Sequence, residues 1–565
     1  MSSVNNKLIE CVPNFSEGRD MNVIKQITDV IESTDGIRLL NVDPGKATNR
    51  TVVTFVGSPE AVCEAAFSAI KKAAEVIDMS KHKGEHPRMG ATDVCPLIPI
   101  SGISMEETAE YAKRLGARVG KELGIPVYLY ESAQSNPARK NLSVIRAGEY
   151  EGFFKKIKLP EWKPDFGKDE FPARSGATVI GARDFLVAYN INLNTTSVRR
   201  ANAIAFDVRE TGRVKREGNP VTGKIVNDTK GNPVYIPGTL KSVKAIGWYI
   251  EEYGIAQISM NLTNINITPV HIAFDEVSKK AAERGIRVTG SELVGLIPLQ
   301  SLIDAGIYFL KKQKRSTGVS EKELIKIAIK SLGLDELGPF KPEERIIEYL
   351  LKDSSKSRLI NMSLSGFADE TASESPAPGG GSISAYMGAL GAALGTMVAN
   401  LSSHKPGWDE RWEEFSQWAE KGQHIKSELV SLVDEDTNAF NKIMTALGLP
   451  KTTDEEKKSR TAAIQEATKY ATEVPFKVMQ VTLRSMDIIK AMAETGNPNS
   501  VTDAGVGALC ARSAVMGAYL NVRVNAQGLQ DRAFADDIIK KGEELQMKAQ
   551  QLEAAILKIV TDKLK

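Results

Sequence analysis

The first third of the chain alternates short apolar runs with amphipathic stretches, which predicts strands alternating with helices. Helices are predicted over residues 21–32 and from the N-cap candidate Ser58 to about Ile77. The predicted strands lie at LIECVPN, IRLLNVD, TVVTFVG and DVCPLIPI. Their order, βαββαβ, is that of a ferredoxin-like split βαβ unit. A further helix is predicted where Ser104 and Glu107 match a capping box, and the run PVYLYES closes this region.

The same order of elements returns further along the chain. Helices are predicted over 196–210 and 269–284, among strands at FLVAYNINL, VKAIGWYI, AQISMNLT and IRVTGSEL. Two such units in tandem predict two related α/β subdomains, and a cleft between them is the natural place for a ligand. LIPLQSL is the last run that resembles a strand, and beyond the polar stretch LKDSSKSR the pattern is almost entirely helical.

We therefore expect an α/β fold of two ferredoxin-like βαββαβ subdomains, followed by an all-α helical-bundle domain. The changes of pattern place the subdomains at 1–185 and 186–351, a linker at 352–360 and the bundle at 361–565. A chain of 565 residues is also too long for a single hydrophobic core.

Charge and cysteine content narrow the function classes. Lysine and arginine total 73 against 71 aspartates and glutamates, so no global field favours a nucleic acid or a membrane as a partner. The four cysteines form no CxxC pair and the N-terminus lacks a signal-peptide core, so we expect a cytoplasmic protein. The uncharged stretch Ile383–Leu401 has the length of a membrane span, but its glycine, alanine and polar residues favour a packed bundle helix.

The stretch KHKGEHPRMG (81–90) holds two of the five histidines. Gly84 and Pro87 break any helix here, so His82 and His86 need not share a face and a metal pair is disfavoured. A histidine in a loop suits acid–base work near neutral pH, but it is more often a surface residue. The pattern alone leaves both readings open.

A second candidate lies in a predicted helix of the C-terminal part. Apolar residues recur there with a helical period: Leu429, Leu432, Val433, Phe440, Ile443 and Met444. Asp436 falls inside this stripe, whereas Glu435 points away from it. A carboxylate among apolar side chains is costly unless it is paired or functional, and its pKa is expected to rise. A hydrogen bond to a neighbouring helix is the structural alternative.

The glycine-rich turn PAPGGGS (376–382) opens directly onto a Gly/Ala helix. Free N–H groups at a helix N-terminus suit an anion, and glycines equally allow close helix packing.

Several long motifs resemble a known family. ECVPNFSEG, NVDPGKATNRTVVTFVG, DMSKHKGEHPRMGATDVCPLIP and GATVIGARDFLVAYNINL resemble glutamate formiminotransferase. SPAPGGGSISAYMGALGAALGTMVANLS and LVDEDTNAF resemble formiminotetrahydrofolate cyclodeaminase. In order and extent, the chain resembles the family in which these two enzymes are fused, nearly end to end.

The resemblance implies two consecutive reactions of histidine breakdown. In the first, the formimino group of N-formimino-L-glutamate passes to N5 of tetrahydrofolate and glutamate is released. In the second, 5-formiminotetrahydrofolate cyclises to 5,10-methenyltetrahydrofolate and releases ammonia. The family's transferase histidine falls on His86 and its cyclodeaminase aspartate on Asp436, so His82 is expected to be incidental. Asp43, at the end of a predicted strand, is a candidate for orienting His86.

The pattern of the Gly- and Pro-rich stretch 163–183 is equally typical of a binding loop and of a linker between domains. The resemblance assigns folate binding to the loop GKDEFPARSG within it. The implied binding residues are Gly167, Lys168, Asp169, Glu170, Phe171, Pro172, Ala173, Arg174, Ser175 and Gly176. Arg174 and Arg183 are candidates for folate carboxylates or for surface salt bridges. Asn521 and Asn525, four residues apart on a predicted helix, are left without a role.

The implied co-substrate is tetrahydrofolate, polyglutamylated, and no metal is expected. Gly/Ala-rich helices suit association with another chain, so a homo-oligomer is expected. Two alternatives stay open. One is a transferase that uses N-formylglutamate, joined to a methenyltetrahydrofolate cyclohydrolase. The other is a non-catalytic folate-binding scaffold, against which the presence of both His86 and Asp436 argues.

Overall fold

The computed structural model describes residues 7–46, 48–84, 87–219, 222–351 and 359–565. Its contacts divide the chain into two compact units. The first unit holds Met1–Leu302 with Ile329–Lys352, and the second holds Ile303–Ala328 with Asp353–Lys565. Most of the expected linker, residues 352–358, lies outside the described residues.

The first unit opens with a seven-stranded mixed sheet. Its strands are β1 (Leu8–Cys11), β2 (Asn14–Phe15), β3 (Ile37–Gly45), β4 (Arg50–Gly57), β5 (Thr92–Ser101), β6 (Val127–Glu131) and β7 (Thr178–Ala182). β1 and β2 both lie between β4 and β5, and β3 pairs with β4; all these pairs are antiparallel. β7 pairs in parallel with both β5 and β6. The sheet thus contains the predicted βαββαβ core and extends it by two strands.

Among the described residues five helices accompany this sheet, and capping residues mark the starts of two of them. They are α1 (Met21–Glu32), α2 (Pro59–Val76), α3 (Met105–Arg118), α4 (Leu142–Arg146) and α5 (Glu149–Lys156). The Ser58 side chain accepts a hydrogen bond from the N–H of Ala61, and Ser104 forms a complete capping box with Glu107. These caps confirm the predicted starts of α2 and α3.

The second half of this unit is a four-stranded antiparallel sheet in the order β11-β12-β8-β13. Its strands are β8 (Val187–Leu193), β11 (Val243–Ile250), β12 (Ile255–Leu262) and β13 (Val288–Val294), and its helices are α6 (Val198–Val208) and α7 (Val270–Ala282). A separate pair, β9 (Arg213–Val214) and β10 (Tyr235–Ile236), lies between α6 and β11. This strand order is that of the ferredoxin-like unit and confirms the second predicted βαββαβ pattern.

Two predictions for single segments were wrong. The stretch 163–183 contains strand β7, so it is not a continuous loop or linker. The run LIPLQSL is not a strand, because a single bridge at Ile297 is followed at once by α8 (Leu299–Lys312). A short apolar run has no period that separates a strand from a buried helix, so only the tertiary partners decide. α9 (Glu321–Leu332), α10 (Pro342–Arg345) and α11 (Ile347–Leu351) follow.

The C-terminal part is helical, as predicted. It consists of α12 (Leu364–Thr371), α13 (Gly380–Ser403), α14 (Trp412–Leu447), α15 (Asp454–Thr495), α16 (Val501–Gln527) and α17 (Arg532–Lys563). Alanines and glycines of α13 and α16, including Ala389, Ala392 and Ala508, are buried in its core. Among the described residues α13 alone has the length and composition of a membrane span, and 61% of its most apolar window is buried inside the structure.

Two candidate active sites

The predicted transferase histidine, His86, lies outside the described residues, as does Glu85. His82, four residues earlier, has a hydrogen-bond partner at each ring nitrogen. Its Nε2 is 2.8 Å from the carbonyl oxygen of Asn49, and its Nδ1 accepts a hydrogen bond of 3.3 Å from Nε of Arg88. A carbonyl only accepts and a guanidinium only donates, so His82 carries its proton on Nε2 and is neutral. Burial lowers the pKa of His82, in agreement with the neutral form.

Arg88 anchors the segment that follows the histidine motif. Its side chain is 9% exposed and forms ion pairs with Glu149 (3.1 Å) and Glu151 (2.7 Å) at the start of α5. The carbonyl of Arg88 also accepts a 2.8 Å bond from the N–H of Tyr150. Because charge-assisted bonds to a guanidinium are among the stronger surface interactions, α5 fixes this end of the motif.

The predicted folate loop, residues 167–176, contacts the histidine segment, by which we mean residues 79–84 and 87–91. The N–H of Met79 donates to the carbonyl of Arg174 (2.9 Å), and the N–H of Ala91 donates to that of Ser175 (2.8 Å). Gly176 has a φ of +67°, and a β-carbon there would lie 2.3 Å from the carbonyl oxygen of Met89. Only glycine fits that position without strain, so the close approach depends on it.

The loop's side chains divide into a packed end and an exposed middle. Phe171 contacts the rings of Tyr150, Phe153 and Phe154. The three charged residues Lys168, Asp169 and Glu170 are exposed. Both candidate arginines already contact backbone carbonyls: Arg174 donates to Glu75 (2.7 Å), and Arg183 donates to Asp184 (2.8 Å). The carbonyl oxygens of the loop at 172–175 also accept hydrogen bonds within the protein, so this end of the loop is tied down through its backbone.

A buried ion cluster that the sequence reading missed lies beside the same segment. Asp93 is fully buried, with Nη2 of Arg146 at 2.6 Å and Nη1 of Arg50 at 3.7 Å. Oδ1 of Asp93 accepts the N–H of Met89 at 3.1 Å. Burial lowers the pKa of Arg50 to about 10, and the charge of Asp93 opposes that shift. The cluster holds Met89, three residues after His86, against the sheet.

The second sheet carries another polar group that periodicity did not single out. Nε2 of Gln257 donates to Oδ1 of Asn192 (2.9 Å) and to Oε2 of Glu292 (3.1 Å), and Nδ2 of Asn190 donates to the same Glu292 oxygen (3.0 Å). Asn192 and Gln257 are fully buried. The signal was the alternation of NIN in β8, because alternate residues of a strand point to one face. On this face the amides and the carboxylate satisfy one another in a buried hydrogen-bond network.

Contacts within the first unit also join its two sheets. Oδ2 of Asp43, at the end of β3, accepts a 3.1 Å bond from the N–H of Gly295. Nζ of Lys244 in β11 donates to Oδ1 of Asn141 at 3.1 Å. Asp43 thus has a backbone partner in the following subdomain, while the role suggested for it beside His86 stays a prediction.

In the helical unit, Asp436 lies on α14 beside the start of α13. The hydroxyl of Ser382 is 2.9 Å from Oδ2 of Asp436 and 3.1 Å from the carbonyl oxygen of Val433. Burial raises the pKa of Asp436, and hydrogen bonds from the Ser382 side chain and backbone oppose the rise. Leu429 and Val433 of the stripe are buried, whereas Met444 is 52% exposed, so the stripe is buried only in part.

The glycine-rich turn meets this carboxylate, and Asn521 lies beside the same turn. A β-carbon on Gly381 would lie 2.1 Å from Oδ1 of Asp436, and one on Gly380 would lie 3.2 Å from Nδ2 of Asn521. Asn525 instead donates to the carbonyl of Ala471 (2.7 Å) and ties α16 to α15. The N-cap residue of α13, Gly379, has no side chain, and a backbone hydrogen bond from Ser382 in the first turn lowers the pKa of Asp436. The positive end of the α13 dipole therefore lies beside the carboxylate.

In the parts of the chain that the structure describes, no group of three or more His, Cys, Asp or Glu side chains is arranged to hold a metal ion.

Comparison with known proteins covers both units. Three family models match: the N-terminal subdomain of the formiminotransferase domain at residues 8–183, the formiminotransferase domain at 188–352, and formiminotransferase-cyclodeaminase at 363–544. The formimidoyltransferase-cyclodeaminase of Mus musculus is 43% identical over 552 residues, 98% of each chain.

Shorter relatives match one part each. The glutamate formimidoyltransferase of Thermoplasma acidophilum is 42% identical over 57% of this chain and 98% of its own. The methenyltetrahydrofolate cyclohydrolase of Methylorubrum extorquens is 43% identical over 36% of this chain and 98% of its own. Since similarity to the fused proteins runs the full length of both chains, this chain belongs to the formimidoyltransferase-cyclodeaminase family.

Proposed function

We propose that the chain is a bifunctional folate enzyme that performs two consecutive reactions. The first unit transfers the formimino group of N-formimino-L-glutamate to tetrahydrofolate, and the helical unit converts the product to 5,10-methenyltetrahydrofolate and ammonia. The observation that carries the proposal is the 43% identity to the mouse formimidoyltransferase-cyclodeaminase over 98% of both chains.

We assign the transfer step to His86. N5 of tetrahydrofolate attacks the formimino carbon, and the tetrahedral intermediate expels the glutamate nitrogen. One proton leaves the attacking amine and one reaches the leaving nitrogen, and an imidazole can carry both near neutral pH. The hydrogen bonds that join Arg174 and Ser175 of the 167–176 loop to Met79 and Ala91, which precede and follow His86 in the chain, support folate binding by this part of the unit.

We assign the cyclisation to Asp436. N10 of the folate attacks the carbon of the protonated formimino group (=NH2+) and loses its own proton. The resulting NH2 group gains one proton and leaves as ammonia, and the positive charge stays on the methenyl product. A carboxyl whose pKa is raised by burial exchanges protons closer to neutral pH than an exposed aspartate does. The contact of Asp436 with the glycine-rich start of α13 supports a site there.

We also propose the pathway, the location and the assembly of this enzyme. Histidine breakdown supplies the formimino donor in this proposal, and polyglutamylated tetrahydrofolate is the acceptor. A cytoplasmic location accords with four free cysteine thiols. A homo-oligomer accords with large apolar side chains left exposed on α16, such as Leu520 (64%) and Val524 (59%).

A second candidate function applies to the helical unit alone. Its similarity to the cyclohydrolase of Methylorubrum extorquens, over 98% of that chain, favours hydrolysis of 5,10-methenyltetrahydrofolate as an alternative to ring closure. Supplying methenyltetrahydrofolate without ammonia and following its disappearance separates the two reactions.

A coupled assay tests the main proposal. With formiminoglutamate and tetrahydrofolate supplied, methenyltetrahydrofolate and ammonia should appear in equal amounts. His86→Ala should abolish transfer and leave cyclodeamination of supplied 5-formiminotetrahydrofolate, and Asp436→Ala should do the reverse. Turnover of N-formylglutamate in preference to formiminoglutamate, or loss of both half-reactions in either folded variant, would contradict the assignment.

A further inference from the structure

The hydroxyl of Ser382 has more acceptors than it has protons. Ser382 is fully buried near the start of α13, and its oxygen lies 2.9 Å from Oδ2 of Asp436 and 3.1 Å from the carbonyl oxygen of Val433. A serine hydroxyl donates one hydrogen bond and accepts two. The Val433 carbonyl can only accept, whereas the carboxyl of Asp436 accepts when ionised and donates when protonated.

Two hydrogen-bond arrangements therefore fit the same atomic positions. With Asp436 ionised, the Ser382 hydroxyl donates to Oδ2. With Asp436 protonated, the Ser382 hydroxyl rotates to donate to Val433, and its oxygen accepts the proton of Asp436. Only the hydroxyl proton turns, and no heavy atom has to move.

The remaining surroundings of Asp436 contribute little charge. Among the described residues no charged group shifts the pKa of Asp436; burial raises it and Ser382 lowers it. α13 carries no charged residue, and α16 brings Asn521 to this end of the helix. Glu435 on α14 faces α15 instead, where it accepts a hydrogen bond from the hydroxyl of Tyr470.

We propose that Ser382 is a positioning residue for the second reaction, one that keeps the Asp436 carboxyl in a single orientation through both of its protonation states. The inference rests on the proposed role of Asp436 in proton transfer. A carboxyl that must gain and lose a proton in each turnover would otherwise lose its hydrogen-bond partner in one of the two states. Ser382 makes reorientation of the carboxyl unnecessary.

The matched pair of variants is Ser382→Ala and Ser384→Ala. Ser384 is also buried on α13, but its hydroxyl donates to the carbonyl of Gly380 (2.7 Å) and not to Asp436. Ser382→Ala removes a hydrogen bond that is stronger to the ionised carboxyl than to the protonated one, so the acid limb of the cyclodeaminase pH profile should move up by about one pH unit. Its kcat should fall about ten-fold with KM little changed, and Ser382→Thr, which keeps the hydroxyl, should restore the profile.

A direct titration makes the test independent of activity. Carbon-13 NMR of aspartate-labelled protein, with Asp436→Asn to assign the signal, reports the pKa of Asp436 in each variant. An upward shift in Ser382→Ala and none in Ser384→Ala supports the proposal, even if the natural protein has no cyclodeaminase activity. An unmoved titration in folded Ser382→Ala, or an equal shift in both alanine variants, overturns it.

Discussion

Gly381 lies so close to Asp436 that a β-carbon on it would fall 2.1 Å from Oδ1 of the carboxyl. The start of α13 and the middle of α14 thus meet at a point where no side chain fits. Gly381→Ala should displace the carboxyl and lower cyclodeaminase activity about 100-fold, while transferase activity stays unchanged. The two half-reactions measured separately on one preparation check this.

The matched control is Gly379→Ala, two residues earlier in the same turn. A β-carbon there meets its nearest neighbour, the carbonyl of Pro376, at an ordinary 3.9 Å. This variant should keep both activities. Equal loss in the two variants would mean that the turn tolerates no alanine at all, and that contact with Asp436 is not the reason.

Asp436→Asn should abolish cyclodeaminase activity and raise the stability of the folded protein at pH 7. Burial in the folded state disfavours the ionised carboxyl, so the pKa of Asp436 is raised from its ordinary value of 3.8. The protonated carboxyl therefore contributes its full stability below pH 3.8, and this stability is lost as pH rises through the folded-state pKa. The neutral amide escapes this loss. At pH 7 the variant should therefore unfold at a higher temperature than the natural protein, with cyclodeaminase activity abolished. The difference should vanish in acid, and a variant that is less stable at pH 7 would contradict the argument.

Glu10 makes the stability of the first unit fall as pH rises, as Asp436 does for the helical unit. This β1 residue is 3% exposed, and burial raises its pKa from 4.5 to about 7, against the opposing charge of Arg183. Stability that is full below pH 4.5 is lost as pH rises through about 7. Glu10→Gln should remove that dependence and be more stable at pH 8 by up to about 3 kcal/mol.

Thermal unfolding of the two proteins at pH 5 and pH 8 is the measurement for Glu10. The midpoints should be close at pH 5 and separate at pH 8. An equal difference between the two unfolding midpoints at pH 5 and at pH 8 would contradict the raised pKa of Glu10.

Gly176→Ala should separate the predicted folate loop from the histidine segment. An alanine there would have to adopt a φ of +67° and place its β-carbon 2.3 Å from the Met89 carbonyl oxygen. We expect a loss of about 2 kcal/mol in the free energy of unfolding and a large fall in transferase activity, with cyclodeaminase activity retained. Gly152→Ala in α5, where a β-carbon meets nothing within 4 Å, is the control and should be neutral or slightly stabilising.

Local signals determined most of the secondary structure. Ser58 and Ser104 start α2 and α3 because caps act within one helical turn, and alternation within single strands marked both βαββαβ patterns. The helical period also drew attention to Asp436, since a charge inside an apolar stripe is visible without knowing what packs against it. The roles of His86 and the 167–176 loop came from resemblance to a family, and those roles stay predictions.

The contacts of each group follow from the tertiary structure. Strand β7 is recognisable because β5 and β6 pair with it, and residues 303–328 group with the helical unit through contacts distant in sequence. The ion pairs of Asp93 with Arg50 and Arg146 also join residues that are far apart in the sequence. So does the hydrogen bond between Ser382 and Asp436. By itself the sequence determined the elements, because caps and periodicity act over a few residues. It left the pairings open, because these depend on the global packing of side chains far apart along the chain.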